Sequence, residues 1–139
     1  MPAKDAHHDV IKNALIKAGW TILSDPYTIK YKDVTVFADL LVGGLVAAQR
    51  DNEQIVVEVK SFLCRAPMRE FETALGQFMI YRIFLHKKEL GHIKVVLGIS
   101  QEVYKKFFKS KAIQVVVDEV DLPLVVVDIE TETIVEWIT

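Results

Sequence analysis

Apolar positions along the chain follow a period near 3.6 in some stretches and near 2 in others, and the changes of period mark out its elements. Residues 5–19 carry Val10, Ala14, Leu15 and Ala18 at helical spacing, and Gly19 stands where a helix end calls for a left-handed residue. The first element is therefore a helix. Residues 20–29 hold several β-branched and aromatic side chains around Ser24, Asp25 and Pro26, which predicts a short strand interrupted by a turn. Residues 34–42 are apolar except at Thr35 and Asp39, and read as one strand ending at the turn signal Gly43-Gly44. The pattern continues at 45–48 and 55–61, with Arg50, Asp51 and Asn52 as the loop between them, so a hairpin or meander is expected.

Phe71, Ala74, Leu75, Phe78, Ile80, Tyr81 and Phe84 form one wide apolar stripe over residues 69–88, a long helix with Pro67 just ahead of its start. Residues 93–99 read as a strand, and Ser100 then caps a helix from 101 to about 111. The β-branched run at 113–117 reads as a strand. Residues 124–128 and 134–138 form a final pair, joined through Glu130, Thr131 and Glu132. The order αβββαβαββ predicts an α/β fold: a mixed β-sheet flanked by helices.

Composition narrows the class. With 139 residues, 51% of them hydrophobic, the chain is expected to be a single domain with its own core, neither disordered nor collagen-like. One cysteine, Cys64, and the histidines His7, His8, His86 and His92 show no zinc-ligand spacing. No apolar run approaches the roughly 20 residues of a membrane helix, and the first 20 residues lack the apolar core of a signal peptide. A cytoplasmic protein is expected. The net charge of -2 argues against a histone-like binder of phosphate, but it is a sum of unlike parts. Residues 1–117 carry a balance of +5, and residues 118–139 carry -7 with no basic group at all. A basic body beside an acidic terminal segment leaves room for a nucleic-acid-facing surface.

Two acidic residues interrupt strands that are otherwise apolar: Asp39, and Glu58 with Lys60 two positions later. Residues two apart in a strand share a face, so Glu58 and Lys60 project together while Val57 and Val59 pack on the other side. If the two strands are neighbours, Asp39 joins them. Two buried carboxylates at one spot need partners or a cation, and Mg2+ binds one or two carboxylates together with waters and phosphate oxygens. Such a cation activates water and neutralises a phosphoryl group while Lys60 orients the water or stabilises the charge, an outfit for phosphodiester hydrolysis. Asp39, Glu58 and the Val59 carbonyl are the expected ligands of Mg2+, with Mn2+ as a substitute. Gln77 and Tyr81, four apart on one helix face, are the supporting candidates.

The order Asp39, Glu58-Val59-Lys60 resembles the D…(D/E)-x-K signature of the PD-(D/E)xK nuclease superfamily, whose restriction-endonuclease-like core is a mixed sheet flanked by helices. Gln77 to Tyr81 is similar to the Q-x-x-x-Y motif of its subgroup related to the RecB nuclease. Relatives in that superfamily place an acidic residue on the first helix, for which Asp5, His8 and Asp9 are the candidates here. From KDAHHDVIKNALIKAGW through DPYTI and ADLLVGG to DIETETIVEWI, nearly the whole chain resembles XisH, the fdxN element excision controlling factor family of cyanobacteria. That resemblance implies a DNA element as the target, with an XisI-like protein and a site-specific recombinase as partners.

Plainer readings stand beside these. Isolated charges in strands are usually surface salt bridges, but here apolar neighbours on both sides favour a site. His7 reads as a surface histidine, Cys64 as a small, partly buried residue, and Trp20 and Trp137 as core or interface anchors. Lys105, Lys106, Lys109 and Lys111, with Arg82, Lys87 and Lys88, form a solvated face that becomes a phosphate-contacting patch if the core is a nuclease. Two rivals to the nuclease remain open. One is a catalytically silent DNA- or partner-binding accessory protein that directs a recombinase. The other is an assembly factor, with residues 113–117 and 124–127 as an edge for homo-oligomers.

Overall fold

The computed structural model describes residues 4–44 and 53–139, so the strand expected at 45–48 and the loop at Arg50, Asp51 and Asn52 lie outside the described residues. Ile11, Ala14 and Leu15 are fully buried, and they lie on one face of helix α1 (His8–Lys17). Gly19, at φ +100°, ends that helix with a backbone that side chains disfavour.

The chain continues through β1 (Trp20–Ser24), β2 (Tyr27–Tyr31), β3 (Val34–Ala38), β4 (Leu40–Gly44) and β5 (Glu53–Val59), then α2 (Pro67–Lys87) and β6 (Lys94–Ser100). A helical stretch follows, α3 (Gln101–Val103) running into a π-helical turn at Tyr104–Phe108, then α4 (Lys111–Val120), β7 (Leu124–Asp128) and β8 (Thr133–Ile138). Six strands form one sheet in the order β1-β4-β5-β6-β7-β8, while β2 and β3 pair separately. The pairs β5–β6 and β6–β7 are parallel and the outer ones antiparallel, so the sheet is mixed, as the pattern predicts.

Alternation along β5 explains how both faces are filled. Ile55, Val57 and Val59 pack with α1, whereas Val56 packs with Phe71, Ala74, Phe78, Tyr81 and Leu85 of α2. Burial on both faces makes the inner strands continuous apolar runs. Gly98 of β6 lets α1 approach: a Cβ there would lie 3.2 Å from Val57 Cγ1 and 3.3 Å from Ile11 Cγ2, both on fully buried residues. Gly98→Ala is accordingly expected to destabilise the chain by about 1–3 kcal/mol, read as a lower urea midpoint with an unchanged m-value.

Several expectations are corrected. The run 34–42 is two strands, broken at Asp39, and residues 20–29 also divide between the two sheets. Gly43 and Gly44 lie inside β4, opposite Thr21 and Trp20, and form no turn. A Cβ on Gly44 would come within 2.8 Å of the Trp20 ring, so this glycine makes room for a side chain. Residues 113–117 are helical because Ile113 and Val117, four apart, reach the core while Val115 is 64% exposed, and Ser110 caps the turn by accepting the Ile113 N–H at 3.4 Å. Packing thus outweighs the strand preference of the β-branched run. The helix expected to reach residue 111 ends sooner, and its π turn directs Phe107 and Phe108 onto Phe62 and Phe71 with ring centroids 5.5–5.6 Å apart.

Neither segment expected to supply an oligomer edge does so, since 113–117 is no strand and β7 is covered by β8. Cys64 is exposed, because after β5 it is Phe62, at φ +57°, that turns inward. Trp20 and Trp137, from the two edge strands, meet at 5.7 Å; Trp20 packs against the α1-side core, whereas Trp137 is exposed and anchors no core.

Candidate functional site

The break at Asp39 builds the site. Strand β4 pairs with β5 only as far as Leu40 opposite Val57, so the Val59 N–H extends beyond the ladder. It donates instead to Asp39 Oδ2 at 2.7 Å, and the Asp39 N–H donates to Glu58 Oε1 at 3.2 Å. The Asp39 carboxylate is thus held by the Val59 backbone, and the Glu58 carboxylate by that of Asp39. One oxygen of each, Asp39 Oδ1 and Glu58 Oε2, stays outside these bonds, and Lys60 Nζ lies 3.8 Å from Glu58 Oε2. The Val59 carbonyl shares a strand edge with its N–H and faces the same gap.

The electrostatics follow from burial. Glu58 is 6% exposed, and desolvation, reinforced by the negative charge of Asp39, pushes its carboxyl up to about 8 although Lys60 opposes the shift. Burial also holds Asp39 above its ordinary value, against the pull of the Val59 N–H, His8 and Lys60. Two carboxyls that both resist ionisation mark a place where a cation would relieve the strain.

From α2, the Tyr81 hydroxyl donates to the Phe37 carbonyl at 2.9 Å, and its phenol is raised by burial and then by the charges of Glu58 and Asp39. Gln77 Oε1 is buried without a hydrogen-bond partner, beside a cavity of about 300 Å³ lined by Val36, Phe37, Gln77, Ile80 and Tyr81. The five residues selected in the sequence, Asp39, Glu58, Lys60, Gln77 and Tyr81, are therefore gathered where β5, the β3–β4 break and α2 meet.

From the first helix it is His8 that points into this place. The residue is 2% exposed, its Nε2 lies 3.0 Å from Asp25 Oδ1, and its Nδ1 lies 3.9 Å from Asp39 Oδ1. Asp5 accepts the Ser61 N–H at 2.9 Å and the His7 N–H at 2.8 Å, a role that ties the helix entry to the end of β5. Asp9 is exposed and pairs with Lys4 at 3.4 Å. Lys105, Lys106 and Lys109 are exposed on the π turn and just past it, with Lys106 beside Glu102 and Lys109 over the Tyr104 ring; among the described residues they make no ion pair with the carboxylates. Arg82 is occupied, donating to the Val120 carbonyl at 3.2 Å.

Comparison with known proteins adds the lineage. The sequence matches the family described as XisH protein over residues 1–135. The chain belongs to the XisH family. A crystal structure of an XisH family protein from Nostoc punctiforme shares 36% identity, covering 97% of this chain and 100% of that one at a TM-score of 0.86. An fdxN element excision controlling factor protein from Anabaena variabilis shares 36% identity over 98% of this chain and 100% of its own, with a TM-score of 0.87. No curated protein matches.

The donor set of this XisH-family chain suits a hard divalent ion. Among the described residues no three histidine, cysteine or carboxylate side chains converge to chelate an ion unaided, but magnesium takes one or two carboxylates and completes its shell with carbonyl and water oxygens. Sequence reasoning overlooked Asp25 and Lys12, whose ion pair measures 2.6 Å. In the sequence Asp25 reads only as a turn residue before Pro26; the signal that points to it is His8 and Lys12, four apart on one helix face.

Proposed function

We propose that this chain is a metal-dependent nuclease-fold enzyme of the PD-(D/E)xK type that hydrolyses phosphodiester bonds in DNA, and that it controls excision of a DNA element, as the name of its Anabaena variabilis relative describes. The observation that carries this reading is the pair Asp39, half-buried, and Glu58, buried, each backbone-locked with one free oxygen, that of Glu58 lying 3.8 Å from the Lys60 ammonium.

Asp39 Oδ1, Glu58 Oε2 and the Val59 carbonyl would hold Mg2+, or Mn2+ in its place. When bound, the cation supplies Lewis-acid neutralisation of charge on the phosphodiester and lowers the pKa of the attacking water. Lys60 fixes the position of that water and stabilises negative charge developing in the transition state, an interaction strengthened by its largely dry surroundings. Tyr81 holds the β3 backbone through the Phe37 carbonyl, which keeps the break beside Asp39 in place. Gln77, with a free amide oxygen beside the adjoining cavity, is placed to orient the DNA strand. The exposed Lys105, Lys106 and Lys109 supply phosphate contacts. An XisI-like protein and a site-specific recombinase are the partners this role entails.

Titration with Mn2+ in a calorimeter tests the reading. One binding event is expected for the wild-type chain, weakened at least 100-fold in Asp39→Asn, whose amide replaces an anionic ligand. A silent accessory protein would bind no cation through these residues, so a titration without heat, or one insensitive to Asp39→Asn, rejects the enzyme.

A further inference from the structure

At the carboxyl ends of the parallel strands β5, β6 and β7 lies a cavity of about 480 Å³ that takes no part in the proposed metal site. Open sheets with parallel strands bind ligands outside this end, and the volume falls in the range of small-molecule sites. Ser100 and Asp128 end β6 and β7, Ser61 stands two residues beyond β5, and His7 and Leu63 complete the wall. Asp5 ties Ser61 to His7 by accepting both of their backbone N–H groups. Ser61 is also the chain neighbour of Lys60, and consecutive Cα atoms are only about 3.8 Å apart. A strand whose phosphodiester is held at Asp39 and Glu58 therefore reaches the cavity with a neighbouring nucleotide.

The lining selects which part of that nucleotide enters. Among the described residues that line the cavity there is no lysine or arginine, whereas Glu102, Asp128 and Glu130 bring carboxylates that repel a phosphate. A base suits them better. Asp128 Oδ1 accepts the Glu130 and Thr131 N–H groups at 3.0 and 3.3 Å, which leaves Oδ2 outside these bonds, and a carboxylate oxygen accepts from the exocyclic amino group of a base. His7, in the same wall, keeps Nδ1 buried without a hydrogen-bond partner, a second polar atom open to a ligand. Leu63 is 68% exposed, the most exposed large apolar side chain among the described residues. Apolar side chains inserted between bases unstack them, and this leucine stands beside a cavity that can take the displaced base. We infer that the cavity receives one unstacked, amino-bearing base of the DNA strand held at the carboxylates, read by Asp128, with Leu63 filling its place in the stack. This role rests on the DNA reading above, and its tests separate the two.

Fluorescence anisotropy with labelled oligodeoxycytidylate and oligodeoxythymidylate, at low salt and without divalent metal, reads the preference, because cytosine carries an exocyclic amino group and thymine does not. The wild-type chain is expected to bind the cytosine strand at least about 5-fold more tightly. Asp128→Asn keeps the turn, since its amide oxygen accepts the same N–H groups, but puts a donor where Oδ2 stood. The order is then expected to reverse in favour of thymine, whose O4 accepts. Unstacking is read by a 2-aminopurine placed among the cytosines, whose fluorescence is expected to rise on binding to the wild type and to lose that rise in Leu63→Ala. Equal affinities for the two strands, or an order that Asp128→Asn leaves unchanged, overturn the inference while the DNA reading stands. So does a 2-aminopurine signal that stays flat on binding or survives undiminished in Leu63→Ala. Failure to bind either strand overturns the DNA reading itself, and this inference with it.

Discussion

Lys60→Ala is expected to abolish metal-dependent DNA cleavage, lowering kcat by about 10²–10³-fold, the usual loss when one preorganised charge stabiliser is removed. Among the described residues Lys60 is the one lysine or arginine within ion-pair distance of either carboxylate, and its side chain is only 14% exposed, so solvent cannot replace it. Its backbone contribution is independent of the side chain: the Lys60 N–H donates to the Gly98 carbonyl at 3.1 Å and continues the β5–β6 pairing in the variant. Far-UV circular dichroism should therefore be unchanged while the rate falls. Cleavage at the wild-type rate by the variant would remove Lys60 from the mechanism and leave the carboxylates to act alone.

Glu58→Gln is expected to stabilise the metal-free chain at alkaline pH while removing a ligand of the proposed metal site. The sign follows from proton binding. Unfolded, Glu58 titrates near 4.5; folded, it holds its proton up to about 8, so between these values the native state binds more protons and stability falls as pH rises. The loss begins above pH 4.5 and is complete a little beyond 8, amounting to on the order of 5 kcal/mol at about 1.4 kcal/mol per unit. Glutamine cannot ionise and keeps the oxygen that accepts the Asp39 N–H. Urea midpoints of the two proteins should agree near pH 5 and diverge by pH 9 in favour of the variant, and Mn2+ should recover the wild type alone. Parallel pH profiles for the two chains would show that Glu58 is not the strained group described above. Such a group exemplifies a site kept at the expense of stability.

How far the sequence led depended on which force shaped each segment. Helix α2 and strands β5 to β8 were legible because their own hydrophobic period matches their burial. The segment 113–117 misled because Val115, Val116 and Val117 favour strands locally, whereas Ile113 and Val117 are drawn to the core as one helix face. Glycines 43 and 44 misled because glycine also serves close packing, and the Trp20 ring that needs the space lies 24 residues upstream of Gly44. At the site, Glu58 and Lys60 were readable from a two-residue spacing and Asp39 from its polar intrusion into an apolar run. The contacts of Asp25 were not, because they span 13 and 17 residues and depend on where α1 rests on the sheet.

The break at Asp39 also reverses the alternation of the chain. Val36 and Ala38 pack on the α2 side, and an unbroken strand would send Leu40 and Val42 the same way, yet both pack on the α1 side with Leu41 opposite. Residue 39 is the one position of phase shift between the two sheets, and it holds the carboxylate. Removing its codon would turn one of the flanking strands inside out, exchanging core for surface along its length. The role proposed for this carboxylate is thus open to loss by missense change, whereas an in-frame deletion would take the fold with it.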